Sequence, residues 1–303
     1  MKYILNLSSG KNALLKERGV QIDHPNFSQR TKMTKEKADK LEEAIQAINK
    51  QFGKGTVISM DKSRAADPVE VISTGNAAID DLTGIGGVPK SRITEIYGAP
   101  SGGKSTLCLQ IVREAQRQGG RCFYADAENA LDVGYAEKLG IDVNSLLIGQ
   151  PSCGEDALAS TLMMIQSNMI SVAVVDSVAA LVPRSELEGD MGDAQMGLMA
   201  RMMSQAMRKM NDAVAHSDCA LIFVNQVRSK IGMVFGNPQT TTGGVALSFY
   251  ASLRMEVTRA TQIKKGDDVV GHNAVVKTWK NKLASPHRKV EVPLIYGLGF
   301  QNG

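Results

Sequence analysis

Apolar positions along the chain change rhythm three times, and each rhythm predicts a different kind of element. Between Thr34 and Phe52, Leu41, Ala44, Ile45, Ile48 and Phe52 recur at helical spacing against a Lys/Glu-rich face, and Gly53 stands where a left-handed cap would close the helix. The piece "GTVISM" that follows has strand character, and the polar "DKSRAADP" behind it reads as a linker. One helix and one strand bury too little apolar surface to stand alone, so this arm must dock, either on its own core or on a neighbouring subunit. Residues 1–33 are expected to form a poorly ordered leader, with a short helix at "SSGKNALLKERG" as the alternative within it.

After Pro68, short apolar runs alternate with helix-length periodic segments. Strands are expected at "RITEIYG", "RCFYADA", "SVAVVDS" and "CALIFVNQ", with helices over about 104–118, 155–168 and 194–216. Such alternation predicts parallel strands joined by helical crossovers, hence a doubly wound α/β sheet. From Tyr250 onward "ASLRMEVTRA", "NAVVKTWKNK" and "RKVEVPLIYG" succeed one another without room for helices, which predicts an antiparallel extension of the same sheet. The expected organisation is a leader over 1–33, an arm and linker over 34–68, and one large domain over 69–303.

Composition narrows this picture. With 43% apolar and 22% charged residues the chain is an ordinary globular one, and a net charge of +4 is too small to argue for a polyanion partner without local patches. Cys108, Cys122, Cys153 and Cys219 stand singly, the pattern of buried thiols in a reducing compartment. The longest apolar stretch, "MISVAVVDSVAALV", is too short for a bilayer and carries Asp176, so no membrane span is expected. Residues 1–32 hold six Lys/Arg against two acids without an apolar run for secretion, which leaves organelle targeting open beside a cytoplasmic location.

Candidate chemistry begins directly after the first large strand. Gly98-Ala99-Pro100-Ser101-Gly102-Gly103-Lys104-Ser105-Thr106 matches G-x-x-x-x-G-K-[ST] between a strand and a helix. Glycines let backbone N–H groups turn toward phosphates, the helix N-terminus adds positive potential, Lys104 suits the β and γ oxygens, and Ser105 suits Mg²⁺. ATP and Mg²⁺ are therefore the expected cofactors. Asp176 ends a buried strand at the edge where open α/β sheets bind ligands, and is the expected second metal ligand. On "RCFYADAEN", Glu128 is the candidate base for an attacking water, while Asp126 is left open between a site role and a structural one.

A second stretch needs explaining. "NQVRSKIGMVFGNPQTTTGG" follows an apolar strand and is long for a connector, with cations, threonines and glycines throughout. Together with "IYGAPSGGKSTL", "DAENALD", "VVDSVAALVP", "ELEGDMGDAQMGLMARMMSQAMRK" and "VVKTWKNKLASP", in this order and spacing, it resembles the bacterial RecA recombinase family from about Thr34 to Phe300. The resemblance implies a P-loop NTPase core of RecA type carrying a small N-terminal helix-strand arm that packs on the adjacent protomer. The family ordinarily continues into a small C-terminal domain beyond the point this chain reaches.

The same resemblance implies roles. Lys104, Ser105, Thr106 and Asp176 would hold the nucleotide phosphates and Mg²⁺, Glu128 would be the catalytic base, and Asp132 and Tyr135 would hold the adenine. Gln226 would sense the γ-phosphate, and Lys280 and Lys282 would reach the neighbouring subunit's ATP site. DNA would be met by Met196, Arg201, Ser204 and Arg208 in one region, and by Arg228, Lys230, Ile231, Thr240, Thr241, Thr242, Gly243 and Gly244 in the long stretch. Arg201 and Arg208 stand seven apart, on one helix face, as phosphate contacts require. Four residues depart from the family pattern: Pro100 in the phosphate loop, Asn129 beside Glu128, Val245 at a DNA contact and Ser248 at a subunit contact.

The implied function is an ATP-dependent recombinase that forms helical homo-oligomeric filaments on single-stranded DNA, pairs it with double-stranded DNA and exchanges strands. Promotion of repressor self-cleavage in an SOS response is its outermost implication. A hexameric helicase-like motor would share the phosphate loop but lack the docking helix and the Lys280/Lys282 pair. A non-catalytic filament partner would be expected to have lost Glu128 or Lys104, and both are present.

Overall fold

Strands that are apolar at nearly every position require cover on both faces, and that demand organises this molecule. The computed structural model describes residues 35–53, 56–57, 69–190, 197–229 and 239–302. The chain divides into two units, Met1–Asp67 and Pro68–Gly303. In the first, helix α1 runs over Lys35–Phe52 and ends at Gly53, whose φ of 109° lies where glycine is favoured. Asn49 both donates to and accepts from the backbone of Val57, each at 2.9 Å, turning the chain back after the helix. Most of the expected strand "GTVISM" and the linker lie outside the described residues.

The second unit opens with β1 (Val71–Ile72), α2 (Ala77–Thr83), β2 (Val88–Pro89), β3 (Arg92–Gly98), α3 (Lys104–Arg117), β4 (Cys122–Asp126), α4 (Val133–Lys138) and β5 (Leu146–Gly149). It continues through α5 (Gly154–Gln166), β6 (Val172–Asp176), a short 3₁₀ turn at Val178–Ala180, α6 (Arg184–Leu187), α7 (Leu198–Ala215), β7 (Ala220–Ser229) and β8 (Gln239–Thr241). The last elements are α8 (Ala246–Tyr250), β9 (Leu253–Lys265), β10 (Asp268–Asn281), β11 (Lys289–Ile295) and β12 (Gly299–Phe300). The main sheet has the order β12-β11-β10-β9-β3-β7-β6-β4-β5. Pairs from β9 through β5 are parallel and those from β9 through β12 antiparallel, so the expected doubly wound sheet with an antiparallel extension is present.

Alternation along the central strands assigns each residue to a face. Ile222 and Val224 of β7 and Val174 of β6 join Leu107 and Ile111 of α3 in one buried cluster. Leu221 and Phe223 with Val175 join Leu158 of α5 and Met203 and Met207 of α7 in the other. Helix α7 is amphipathic because its methionines recur every three or four residues, which lets flexible side chains fill the uneven sheet surface. All four cysteines are free and buried, as expected.

Several short elements escape the hydrophobic pattern, β5 and α4 among them. Strand β5 is an edge strand of four residues, and Leu147 and Ile148 on it are partly exposed, so it lacks the apolar density that marks the inner strands. Helix α4 is only six residues long, too short to show a period. The opening of the long stretch is also not a plain loop. Strand β7 continues past Gln226 to Ser229 and pairs antiparallel with β8, so Val227–Thr241 and Arg228–Thr240 face each other across a ribbon. Truncating the fully buried ring in Phe223→Ala is expected to lower stability by about 3–5 kcal/mol without changing the sheet, measured by urea unfolding of the purified chain.

Candidate nucleotide and DNA site

Parallel registry collects the chemistry at one edge. It sets Gly98 beside Gln226 and Asp126 beside Asp176, so the carboxyl ends of β3, β4, β6 and β7 converge. Gly98 has φ 152°, and a Cβ there would lie 2.1 Å from the Val257 carbonyl oxygen; only glycine lets the phosphate loop turn flush against β9. Helix α3 starts at Lys104 with Gly103 at its N-cap and no side-chain cap, which leaves its first N–H groups for an anion. Ser101, beside Pro100, takes a left-handed φ of 60°, and so does Asn129 at 52°, a conformation asparagine tolerates well.

Lys104 is buried and its Nζ donates to the Ala99 carbonyl at 2.8 Å. Burial pulls its pKa down, while Asp176 and Glu128 nearby pull it back up. The ammonium thus rests on its own loop, within reach of any phosphate seated there. Asp176 is also buried, which raises its pKa, against hydrogen bonds from Ser105 and then Tyr124 that favour the ionised form. Tyr124 donates to Asp176 Oδ2 at 2.6 Å. A hydroxyl and one ionisable carboxylate beside a phosphate site suit Mg²⁺, which keeps waters and phosphate oxygens in its remaining positions. Among the described residues no cluster of three or more acidic, histidine or cysteine side chains forms an all-protein metal cage.

Asp126 resolves toward its structural reading. Its two carboxylate oxygens accept from the backbone N–H groups of Ala130 and Leu131 at 3.1 and 3.0 Å, which shapes the turn carrying Glu128. Glu128 is exposed, and its Oε1 accepts from the Ser177 hydroxyl and from Gln226 Nε2, the latter at 3.1 Å. Ser177 was not among the expected site residues; a lone serine after a strand gives no local signal.

Asp132 caps α4 by accepting from the Tyr135 N–H at 3.0 Å, and the Tyr135 hydroxyl shares a hydrogen bond with Thr106 at 3.0 Å. Two cavities flank this pair. One, about 110 Å³, lies between Ser105, Glu128, Asp132, Tyr135 and Asp176. The other, about 280 Å³, is walled by Ser101, Gly103, Thr106 and Tyr135 and by His272 and Tyr296. These last two come from β10 and the turn after β11, far along the chain and outside any motif, so the sequence did not single them out.

The expected DNA residues are partly placed. Met196, Lys230 and Ile231 lie outside the described residues. Arg201 and Arg208 are exposed on α7, whereas the Ser204 hydroxyl donates to the Ala200 carbonyl at 2.7 Å. Arg228 is exposed on β7 opposite Thr240 on β8, and the Thr242 N–H returns to the Gln226 carbonyl at 3.3 Å. Gly243 and Gly244 have φ of 84° and 78°, and a Cβ at either would crowd Val178 or Ala200 at 2.8 and 2.9 Å. Their glycine requirement has this packing cause in addition to any contact with phosphate.

Below the ribbon lies a sealed polar network. Glu95, with no exposed surface, accepts from Asn225 Nδ2 at 3.0 Å and pairs with Arg254, which stacks 4.7 Å over the Tyr97 ring. Asn225 also donates to the Thr242 carbonyl at 3.0 Å, tying the two feet of the stretch together. Lys280 donates to the carbonyls of Ser248 and Phe249 at 2.6 and 2.8 Å, with burial and then Lys282 lowering its pKa. Lys282 borders a separate cleft with Ser91 and Tyr250, so within one chain neither lysine joins Lys104 and Glu128.

The model of the RecA N-terminal domain matches residues 39–301 of this chain. The chain belongs to the RecA family. It is 53% identical over 260 residues to Protein RecA of Thioalkalivibrio sulfidiphilus, covering 86% of this chain and 76% of that one. It is also 53% identical over 270 residues to Protein RecA 2 of Myxococcus xanthus, and 50% identical over 268 residues to Protein RecA of Geobacter sulfurreducens, covering 88% of this chain in both cases and 75% and 79% of those relatives. As a RecA-family protein the chain is a DNA-dependent ATPase and a recombinase of DNA recombination and repair. No helix among its described residues is long and apolar enough to cross a membrane.

The Tyr124 hydroxyl favours ionised Asp176, so its loss should raise the carboxyl pKa further. Tyr124→Phe is expected to shift the acid limb of Mg²⁺-dependent ATP hydrolysis to higher pH and to weaken Mg²⁺-nucleotide binding by roughly tenfold, the scale of one hydrogen bond to a charged group. Hydrolysis titrated with Mg²⁺ at several pH values checks both.

Proposed function

We propose that this RecA-family chain couples ATP hydrolysis to DNA binding through the contact between Glu128 and Gln226. The single observation that supports it is the 3.1 Å hydrogen bond from Gln226 Nε2 to Glu128 Oε1, because Gln226 stands where β7 becomes the ribbon carrying Arg228. The phosphates of ATP lie along the backbone of Gly98, Ala99, Pro100, Ser101, Gly102 and Gly103, and Lys104 leaves the Ala99 carbonyl for the β and γ oxygens. Ser105 and Asp176 hold Mg²⁺, which when bound neutralises charge on the phosphate oxygens. Glu128 orients the attacking water and accepts its proton, with Ser177 fixing the carboxylate from the far side. Thr106, Asp132 and Tyr135 border the nucleoside, with Tyr296 facing it.

A γ-phosphate held by Lys104 competes for the amide that Gln226 gives to Glu128. Its presence is thereby reported to Arg228 and Lys230, to Ile231 between bases, and to Thr240, Thr241, Thr242, Gly243 and Gly244, which hold the DNA backbone. Met196 with Arg201, Ser204 and Arg208 forms the other DNA region. Sequence is read by base pairing, so the protein's own contacts are mostly to phosphate and sensitive to salt. The arm carrying α1 packs on the adjacent copy, and Lys280 and Lys282 reach that copy's ATP, which makes the filament ATP-dependent. The protein works in the cytoplasm on the nucleoid, and its filament also promotes self-cleavage of a repressor.

Hydrolysis measured with and without single-stranded DNA tests this reading. Lys104→Ala should abolish turnover, and Glu128→Gln should lower it by about 10²–10⁴ with nucleotide binding kept. Gln226→Ala should keep basal hydrolysis and lose most of the stimulation by DNA; equal stimulation in this variant would remove the proposed coupling. Arg208→Ala should reduce the slope of log affinity against log salt by about 0.7, the share of one phosphate contact on a single strand.

A further inference from the structure

A cavity of about 290 Å³ at the foot of the ribbon shares no residue with the phosphate loop. It is lined by Thr240 and Thr241 of β8, by Val245 and Ser248 at the start of and within α8, and by Glu256 and Trp279 of β9 and β10. Val245 and Ser248 are two of the four residues that depart from the family pattern, so the structure gathers two departures at one place. Trp279 is the only tryptophan of the chain. A register shift between Thr278 and Lys280 leaves it without a partner on β9, the kind of bulge that re-aims a side chain. Its Nε1 donates to Glu256 Oε2 at 2.5 Å, and Lys277 Nζ stands 3.5 Å from the ring centroid.

The lining narrows the ligand. Arg254, the cation on the cavity wall, is already held by the buried carboxylate of Glu95. Glu256 gives one oxygen to the indole, and among the described residues its Oε1 accepts no hydrogen bond. An unengaged carboxylate oxygen repels phosphate and asks for an N–H donor, while the hydroxyls of Thr240 and Thr241 can give or accept. The indole adds apolar area suited to a flat ring. Together these fit a nucleobase with an exocyclic amine, the group that a glutamate accepts from on cytosine. Position names the source of that base. Thr240 faces exposed Arg228 across the ribbon, so a strand held there passes beside the cavity.

We propose that this cavity takes one unpaired base of the bound single strand, laid against Trp279 with its exocyclic amine on Glu256 Oε1. The inference rests on the DNA reading of the ribbon given above. It adds a preference for amine-bearing bases to contacts that otherwise go to phosphate.

Because Trp279 stands alone, its emission reports on the cavity directly. The full chain is titrated with fluorescein-labelled oligodeoxycytidylate, oligothymidylate and an abasic strand of equal length; label anisotropy reads binding and indole emission reads the cavity. Oligodeoxycytidylate should shift the emission with the same midpoint as the anisotropy, and the abasic strand should leave it unmoved. Thymine turns a carbonyl oxygen where cytosine has its amine. Glu256→Gln should therefore lower the ratio of oligodeoxycytidylate to oligothymidylate affinity by about tenfold, the scale of one hydrogen bond to a charged group. Trp279→Leu should lower it by a similar factor, the scale of one base stacked on an aromatic ring, and the near-isosteric glutamine variant serves if the leucine variant does not fold. Bound oligodeoxycytidylate with unmoved emission, or an equal shift from the abasic strand, overturns the proposal and leaves the DNA reading standing. A ratio unchanged in Glu256→Gln also overturns it. No binding of any strand overturns both readings.

Discussion

The pairing of β3 with β7 is the constraint on which the rest of the molecule depends. Because it is parallel and sets Gly98 opposite Gln226, the strand that delivers the phosphate loop and the strand that continues into the ribbon with β8 finish at one level. Parallel strands need crossovers, crossovers need helices on both faces, and the helices supply the two apolar clusters that hold the strands in place. A slip of one residue would reverse every side chain on β7 and move Gln226 away from Glu128 together with the core residues Phe223 and Val224. Function and packing therefore share one register.

Much of this was legible in the sequence, for identifiable reasons. The inner strands carry continuous apolar runs because both faces are buried, and the phosphate loop announces itself because glycine, lysine and serine are all required within a few positions of one another. What stayed hidden depends on contacts between distant segments. Strand β5 is short and half-exposed, so it looks like loop. Ser177, His272 and Tyr296 reach the site from places where neighbouring residues say nothing about their surroundings. Asp126 could be weighed but not assigned until its carboxylate was seen to hold the backbone of Ala130 and Leu131.

The ribbon revises the reading of the long stretch. The stretch read as an unusually long connector after an apolar strand, but Arg228 and Thr240 sit on paired strands, and Gly243 and Gly244 are pressed against Val178 and Ala200. Part of its glycine content serves close packing. The family relationship accounts for the segment's presence, while the geometry accounts for its residue types.

The sealed carboxylate of Glu95 has a consequence for how a signal can pass. It grips Asn225 and Arg254, and Asn225 in turn grips Thr242, so both feet of the stretch are bolted to the sheet. In the coupling proposed above, movement at the sheet edge would then fall to Gln226, whose amide extends from that braced backbone to Glu128. On that proposal, information would leave the nucleotide as a relay contact that closes or opens, with no need for a hinge in the sheet.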